Sequence, residues 1–263
     1  VNRSYRVPRL HRGGRARDAR GMVVLAMALA VLLAGAVALV MQVVQRQRDE
    51  TERMRVTLER MERIRTALCG YARLNNNALP APPSLPSLTP TRANAPHVLG
   101  WYGGTGTGTL ARLGLSVEDV TDGWGRLFTV FLGVDCSSPT IRVDVDGDGT
   151  QVPNNACVVL ISHGPSGRGA FLPQQTSGGQ LPWLGPLPPN PGSTTNGTGG
   201  EWRNTQNNSG SATQPLAYAA PNAACTSNPE ERLDPALPCH FDDVVRYYDK
   251  VNPADTGERP LCP

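Results

Sequence analysis

Hydropathy divides the chain into stretches of different period. Gly21 to Met41 is an uncharged apolar run, and Met22 through Met41 supplies roughly 20 residues, about 30 Å as a helix, the hydrocarbon thickness of a bilayer. Gln42 to Leu74 follows without proline and with one glycine, Gly70. Its apolar residues Met54, Leu58, Met61, Ile64 or Arg65, Leu68 and Tyr71 recur at helical spacing, so the apolar run is predicted to continue into an amphipathic stalk helix. Asn75-Asn76-Asn77 tolerates left-handed backbone angles and ends the helix, and Pro80, Pro82, Pro83, Pro86 and Pro90 forbid its resumption. A short helix is expected over Leu110 to Val120. Strands are expected from Leu127 to Val134, Ile141 to Val145, Cys157 to Ser162 and Val244 to Tyr248. The predicted fold class is α+β, a long N-terminal helix packed on a small antiparallel β-sheet.

The organisation that follows is a leader at 1–21, a membrane-spanning helix at 22–42, a stalk helix at 43–77, a Pro/Gly-rich linker and loop at 78–109, and a β-rich globular domain at 110–263. Within that domain, 178–214 is almost wholly Gly, Pro, Ser, Thr and Asn. It buries too little apolar surface to offset its ordering entropy and is expected to be an exposed insertion, with Trp183 and Trp202 pinning it to the domain. Gly103 to Gly108 alternates glycine with threonine. It has neither a preceding apolar strand nor a lysine, so a flexible loop is expected there rather than a phosphate cradle.

Charge orients the span. The leader holds Arg3, Arg6, Arg9, Arg12, Arg15, Arg17 and Arg20 against Asp18 alone, which keeps it in the cytoplasm and sends the rest of the chain outward. A cleaved secretory signal is the other reading, and Ala34-Gly35-Ala36 or Ala36-Val37-Ala38 would serve as its cleavage site. The uninterrupted helical pattern behind the run weighs against it. Of 263 residues about 190 lie beyond the stalk, enough for one domain with a core of its own. The net charge of +3 resides largely in the leader, which disfavours nucleic acid as a partner.

The cysteines Cys69, Cys136, Cys157, Cys225, Cys239 and Cys262 form an even set without a C-x-x-C pair, the usage of disulfides in an oxidising compartment. Six cysteines allow about 15 pairings. Local spacing favours Cys136 with Cys157 across a hairpin and Cys225 with Cys239, which leaves Cys69 for Cys262.

Asp144-Val-Asp-Gly-Asp-Gly-Thr150 is the stretch with metal character. In a strand, Asp144, Asp146 and Asp148 would share one face, and the D-x-D-x-D-G spacing resembles a calcium loop with Thr150 beside it. The twelfth position is Asn155, which lacks the bidentate carboxylate, so a solvated Asp-Gly turn is the competing reading. His163, with Ser162 and Ser166 close by, invites a catalytic reading. No G-x-S-x-G elbow precedes it, and turn chemistry is the expectation; the chain is not expected to be an enzyme.

Arg65-Thr-Ala-Leu-Cys-Gly-Tyr-Ala72 with Leu79-Pro80-Ala81-Pro82, Asp122-Gly-Trp-Gly125 before Phe128, Val159-Leu-Ile-Ser-His-Gly-Pro-Ser-Gly167 and Phe241-Asp-Asp-Val-Val245 stand in one order along the chain. Together with a cationic leader ending in glycine ahead of an apolar helix, they resemble the type IV pilin and type II secretion pseudopilin family. The resemblance implies a pilin-like fold and removal of the leader between Gly21 and Met22 by prepilin peptidase, with methylation of the new amine. It also implies a bacterial inner-membrane location with the domain in the periplasm, and assembly with other pilin or pseudopilin subunits through the N-terminal helix. One departure stands out. The fifth residue after the cut is Ala26, where most family members carry a glutamate thought to neutralise the amine of the subunit ahead. A subunit at a filament tip has no neighbour ahead, so the departure fits a minor, tip-like subunit, and it equally fits a protein that carries the same anchor and never enters a filament. A calcium-dependent binding module on a signal anchor is the alternative, and an anchored enzyme a more remote one.

Overall fold

The structure, a computed structural model, describes residues 15–80, 113–133, 136, 141–144, 155–173, 204, 216–218, 241–249 and 260–262. One helix, α1 (Arg15–Leu74), opens it. The chain divides into two compact units, Val1–Thr51 and Glu52–Pro263, so α1 contributes to both. The helix stops three residues short of the expected boundary at 77. Asn75, Asn76 and Asn77 form a turn in which Asn76 and Asn77 take positive φ values of 53° and 66°. The Asn75 side chain donates to the Tyr71 carbonyl at 2.8 Å, and the Asn77 amide to that of Ala72 at 2.8 Å, which satisfies carbonyls the helix end would otherwise orphan.

Among the described residues of the second unit six strands follow: β1 (Thr129–Leu132), β2 (Ile141–Asp144), β3 (Asn155–Ala156), β4 (Val158–Ser162), β5 (Leu216–Tyr218) and β6 (Val244–Tyr248). They form two three-stranded sheets rather than the single sheet expected, ordered β1-β4-β6 and β3-β2-β5. The first is antiparallel throughout, with Val130 opposite Leu160 and Ile161 opposite Val245. In the second, β2 pairs antiparallel with β3 and parallel with β5. The chain breaks at Cys157 between β3 and β4 and so passes from one sheet to the other.

Side-chain alternation explains the layering. Val158 and Leu160 of β4, Val130 of β1 and Tyr248 of β6 pack with Met61, Ile64, Leu68 and Ala72 of α1. Val159, Ile161, Phe131 and Tyr247 point to the opposite face and pack with Ile141, Val143 and Ala156 of the second sheet. The central strand β4 is therefore buried on both faces, as its unbroken Val-Val-Leu-Ile run requires. Of the expected helix over Leu110 to Val120, Leu113 is helical, the chain turns at Gly114 with a φ of 66°, and a 3-10 turn covers Glu118–Val120. Ser116 and Asp119 close a local box, the serine hydroxyl donating to the carboxylate at 2.7 Å, and Thr121 is already extended and bridged to Leu127. Pulling Val120 into the core ends the turn there.

Candidate functional site

The apolar run lies in the first unit. Every residue from Met22 to Val44 is exposed, and the large apolar side chains range from 40% exposed at Val44 to 71% at Met22. The helix from Met22 onward is long and apolar enough to cross a membrane. A helix that is greasy on all sides is at home in lipid or among other helices, and not in water. Gly21 lies within α1, and Met22 beside it is exposed.

The second unit holds the other half of the helix by specific polar contacts. Gly123 lies so close to the Arg53 carbonyl that any Cβ would collide with helix backbone, and its amide donates to the Thr57 hydroxyl at 2.9 Å. Arg60 donates to the Thr121 carbonyl and hydroxyl and to the Asp122 carbonyl at 3.1–3.2 Å. Arg63 pairs with Asp119 at 3.1 Å. Lower on the helix, Arg65 donates to the Leu261 carbonyl at 2.8 Å and stacks over the Tyr248 ring at 5.6 Å. Cys69 is disulfide-bonded to Cys262, which brings the end of the chain onto the stalk.

At the end of the first sheet, polar side chains from distant parts of the sequence converge. Asp122 accepts from the Trp124 and Arg126 amides at 2.9 Å and from the Ser162 hydroxyl at 2.8 Å. Burial pushes the Asp122 carboxyl up even so, the three donors pulling it back only in part. Beside it the buried imidazole of His163 makes a 2.8 Å hydrogen bond with the Thr129 hydroxyl through Nε2 and faces Asp243 across 3.4 Å through Nδ1. That second separation suits charge attraction but falls outside hydrogen-bond geometry. Asn204, the described residue of the glycine-rich insertion, donates to the other oxygen of Asp243 at 2.8 Å. Asp242 accepts from the Ser166 amide at 2.6 Å and hydroxyl at 3.1 Å. Gly164, at φ 49°, brings the turn hard against the Asp242 backbone, where no side chain fits. Arg126 closes the group by donating to the carbonyls of Gly164 and Pro165, and burial lowers its pKa.

Of the residues singled out from the sequence, Cys136 and Cys157 are bonded to each other, as are Cys69 and Cys262, and the described cysteines leave no free thiol. The Cys136 bridge does not span a simple hairpin. It sits where β1 and β4 begin to separate, with β2 and β3 forming a nested antiparallel pair inside its loop. Cys225 and Cys239 lie outside the described residues. So do Asp146, Asp148 and Thr150, while the backbone of Asp144 ends β2 and residues 145–154 connect β2 to β3. Trp183, Trp202 and the Gly103–Gly108 stretch also lie outside. His163 meets Thr129 and Asp243 rather than the hydroxyls of Ser162 or Ser166.

Thr129, Asn204 and the partnership of Asp243 with His163 carried no local signal in the sequence. Asp122, His163 and Asp243 each belonged to a short motif, but 40 residues separate Asp122 from Ser162, and nothing local says that they touch. Comparison with protein-family models, with curated proteins and with solved structures gives no match to this chain.

Proposed function

We propose that the chain is a membrane-inserted, pilin-like minor subunit of a type IV pilus or type II secretion pseudopilus, with a pilin-like fold and a mechanical rather than catalytic role. The observation that carries this reading is the division of one continuous helix into an all-round exposed apolar half and a half that docks on a β-sheet domain. Such a helix resides in the inner membrane as a single span. On assembly it exchanges lipid for the helices of neighbouring subunits at little hydrophobic cost, since lipid tails and leucine side chains are equally apolar. The domain then faces the periplasm, where its disulfides are stable.

The meeting of Asp122, Ser162, Ser166 and Asp242 at one end of the sheet supports the same reading. Three of the motifs that resemble the family, those of Asp122, of Ser162 and Ser166, and of Asp242, are joined by hydrogen bonds instead of lying in separate loops. Under this proposal prepilin peptidase cuts between Gly21 and Met22. Intact-mass measurement of the protein from the membrane fraction should find a chain that begins at Met22, with a methylated amine. A product starting after Ala36 or Ala38 would overturn the proposal in favour of a secretory signal.

A further inference from the structure

The first sheet ends in a buried relay that neither packing nor a filament role requires. Thr129 opens β1, His163 follows β4 and Asp243 precedes β6, so the imidazole reaches from one neighbour of the central strand to the other. The side chains of His163 and Asp243 are 0% and 1% exposed, and Thr129 and Asn204 are fully buried. A carboxylate in such a place is costly unless a proton or a cation answers it.

Among the described residues, the charged groups around the pair are few. Asp242, the preceding residue, adds negative charge. Arg126 is drawn to Asp122 and Asp242 and spends its donors on the carbonyls of Gly164 and Pro165. Asn204 offers Asp243 an amide without charge, and Thr129 offers His163 a hydroxyl. Among the described residues the imidazole is thus the group that answers Asp243.

We propose that His163 and Asp243 act as a proton-dependent lock on this end of the sheet, closed while the pair holds a proton and loosened when rising pH removes it. With that proton the pair is neutral overall, as an imidazolium beside a carboxylate or as a neutral imidazole beside a carboxylic acid. Without it, a bare carboxylate faces a neutral ring across a gap that makes no good hydrogen bond, with Asp242 alongside. Burial holds the Asp243 carboxyl above the ordinary aspartate range, with His163 opposing and Asp242 reinforcing that shift. The sign follows from linkage: above the ordinary values of both groups, the folded pair keeps a proton that the unfolded histidine and aspartate have released. The unfolded histidine still holds one proton below about pH 6.5, so the stability of the pair is flat from the aspartate range up to that value and is lost as pH rises through the pair's native pKa. Loosening acts at once on β1, β4, β6 and Asn204, because each has a residue in the relay.

The test is hydrogen exchange of the full-length protein in detergent micelles from about pH 5 to about pH 9, with protection factors corrected for the intrinsic pH dependence of exchange. The amides around Ser162 and Val244 should lose protection by at least about tenfold over that range, the equivalent of one unit of pKa shift, while those of Ile64 to Leu68 change less. Asp243→Asn should flatten the dependence. Its amide carries no charge, accepts from Asn204 and donates to His163 Nδ1. Carbon NMR of the Asp243 carboxyl together with nitrogen NMR of the His163 ring in the unaltered chain reads the same proton directly, so a variant that fails to fold does not spoil the test. Uniform protection across the range, a dependence that survives in Asp243→Asn, or a pair whose carboxyl and imidazole both titrate at their ordinary values would each overturn the lock.

Discussion

Two stretches of α1 carry apolar side chains and meet opposite fates. From Met22 to Val44 they are exposed on every side, whereas Met61, Ile64, Leu68 and Ala72 are at most 1% exposed. The polar residues between the apolar ones make the difference. In the second stretch, arginines and glutamates occupy the outward positions, as in the pairs Arg55 with Glu59 and Arg63 with Glu59, leaving one stripe to be covered by the sheet. In the first stretch no polar face exists, so no single protein surface can cover it. An apolar residue is a claim on a partner, and its neighbours decide whether one surface or a whole solvent must answer.

The strongest way to break this comparison is to cut the helix. A fragment beginning at Glu52 keeps the compact second unit, and it should unfold cooperatively and remain soluble without detergent. A fragment beginning at Asn76 loses Met61, Ile64, Leu68, Cys69 and Ala72 from the core, and it should show no cooperative thermal transition by circular dichroism. A sharp transition in the shorter fragment would mean that the stalk is ornament rather than core.

The disulfides sharpen the same point. Cys69 to Cys262 closes a loop of 193 residues and Cys136 to Cys157 one of 21. Restriction of the unfolded chain then gives about 5 kcal/mol for the first and about 3 kcal/mol for the second. Denaturant unfolding of Cys69→Ala/Cys262→Ala should therefore show the larger loss, and equal losses would argue that the stalk bridge is strained or that the unfolded chain keeps structure.

A matched pair of single substitutions tests the two stretches side by side. Leu68→Ala, in a fully buried position, should cost roughly 2–5 kcal/mol of domain stability. Leu32→Ala, 70% exposed in the first stretch, should leave domain stability within about 0.5 kcal/mol. Comparable losses at the two positions, read from denaturant midpoints, would erase the distinction.

Much of the local structure was legible because it has a local cause. The helix pattern, the Asn75–Asn77 stop and the β6 span of Val244 to Tyr248 each follow from spacing or backbone preference within a few residues. The ends of β1 were less legible, since Leu127 and Phe128 carry strand-like side chains but bond to Phe171 and Val120 outside the sheet. Thr57 was missed in the buried stripe because a threonine reads as polar. Its hydroxyl is satisfied by the Arg53 carbonyl and the Gly123 amide, which lets it sit inside.

The sequence by itself determined that a bilayer-length apolar helix leads into an amphipathic one and that strand-forming segments follow. Periodicity records how many faces of an element avoid water, and the unbroken Val158–Ile161 run held that information for two faces. Tertiary structure alone decided which surfaces answer. It placed a second sheet behind the first and paired β2 in parallel with β5. It also gathered Thr129, His163, Asn204 and Asp243 into one buried relay. The physical reason is that a hydrogen bond between residues tens of positions apart depends on the whole chain's packing, and no pattern within either segment names its partner.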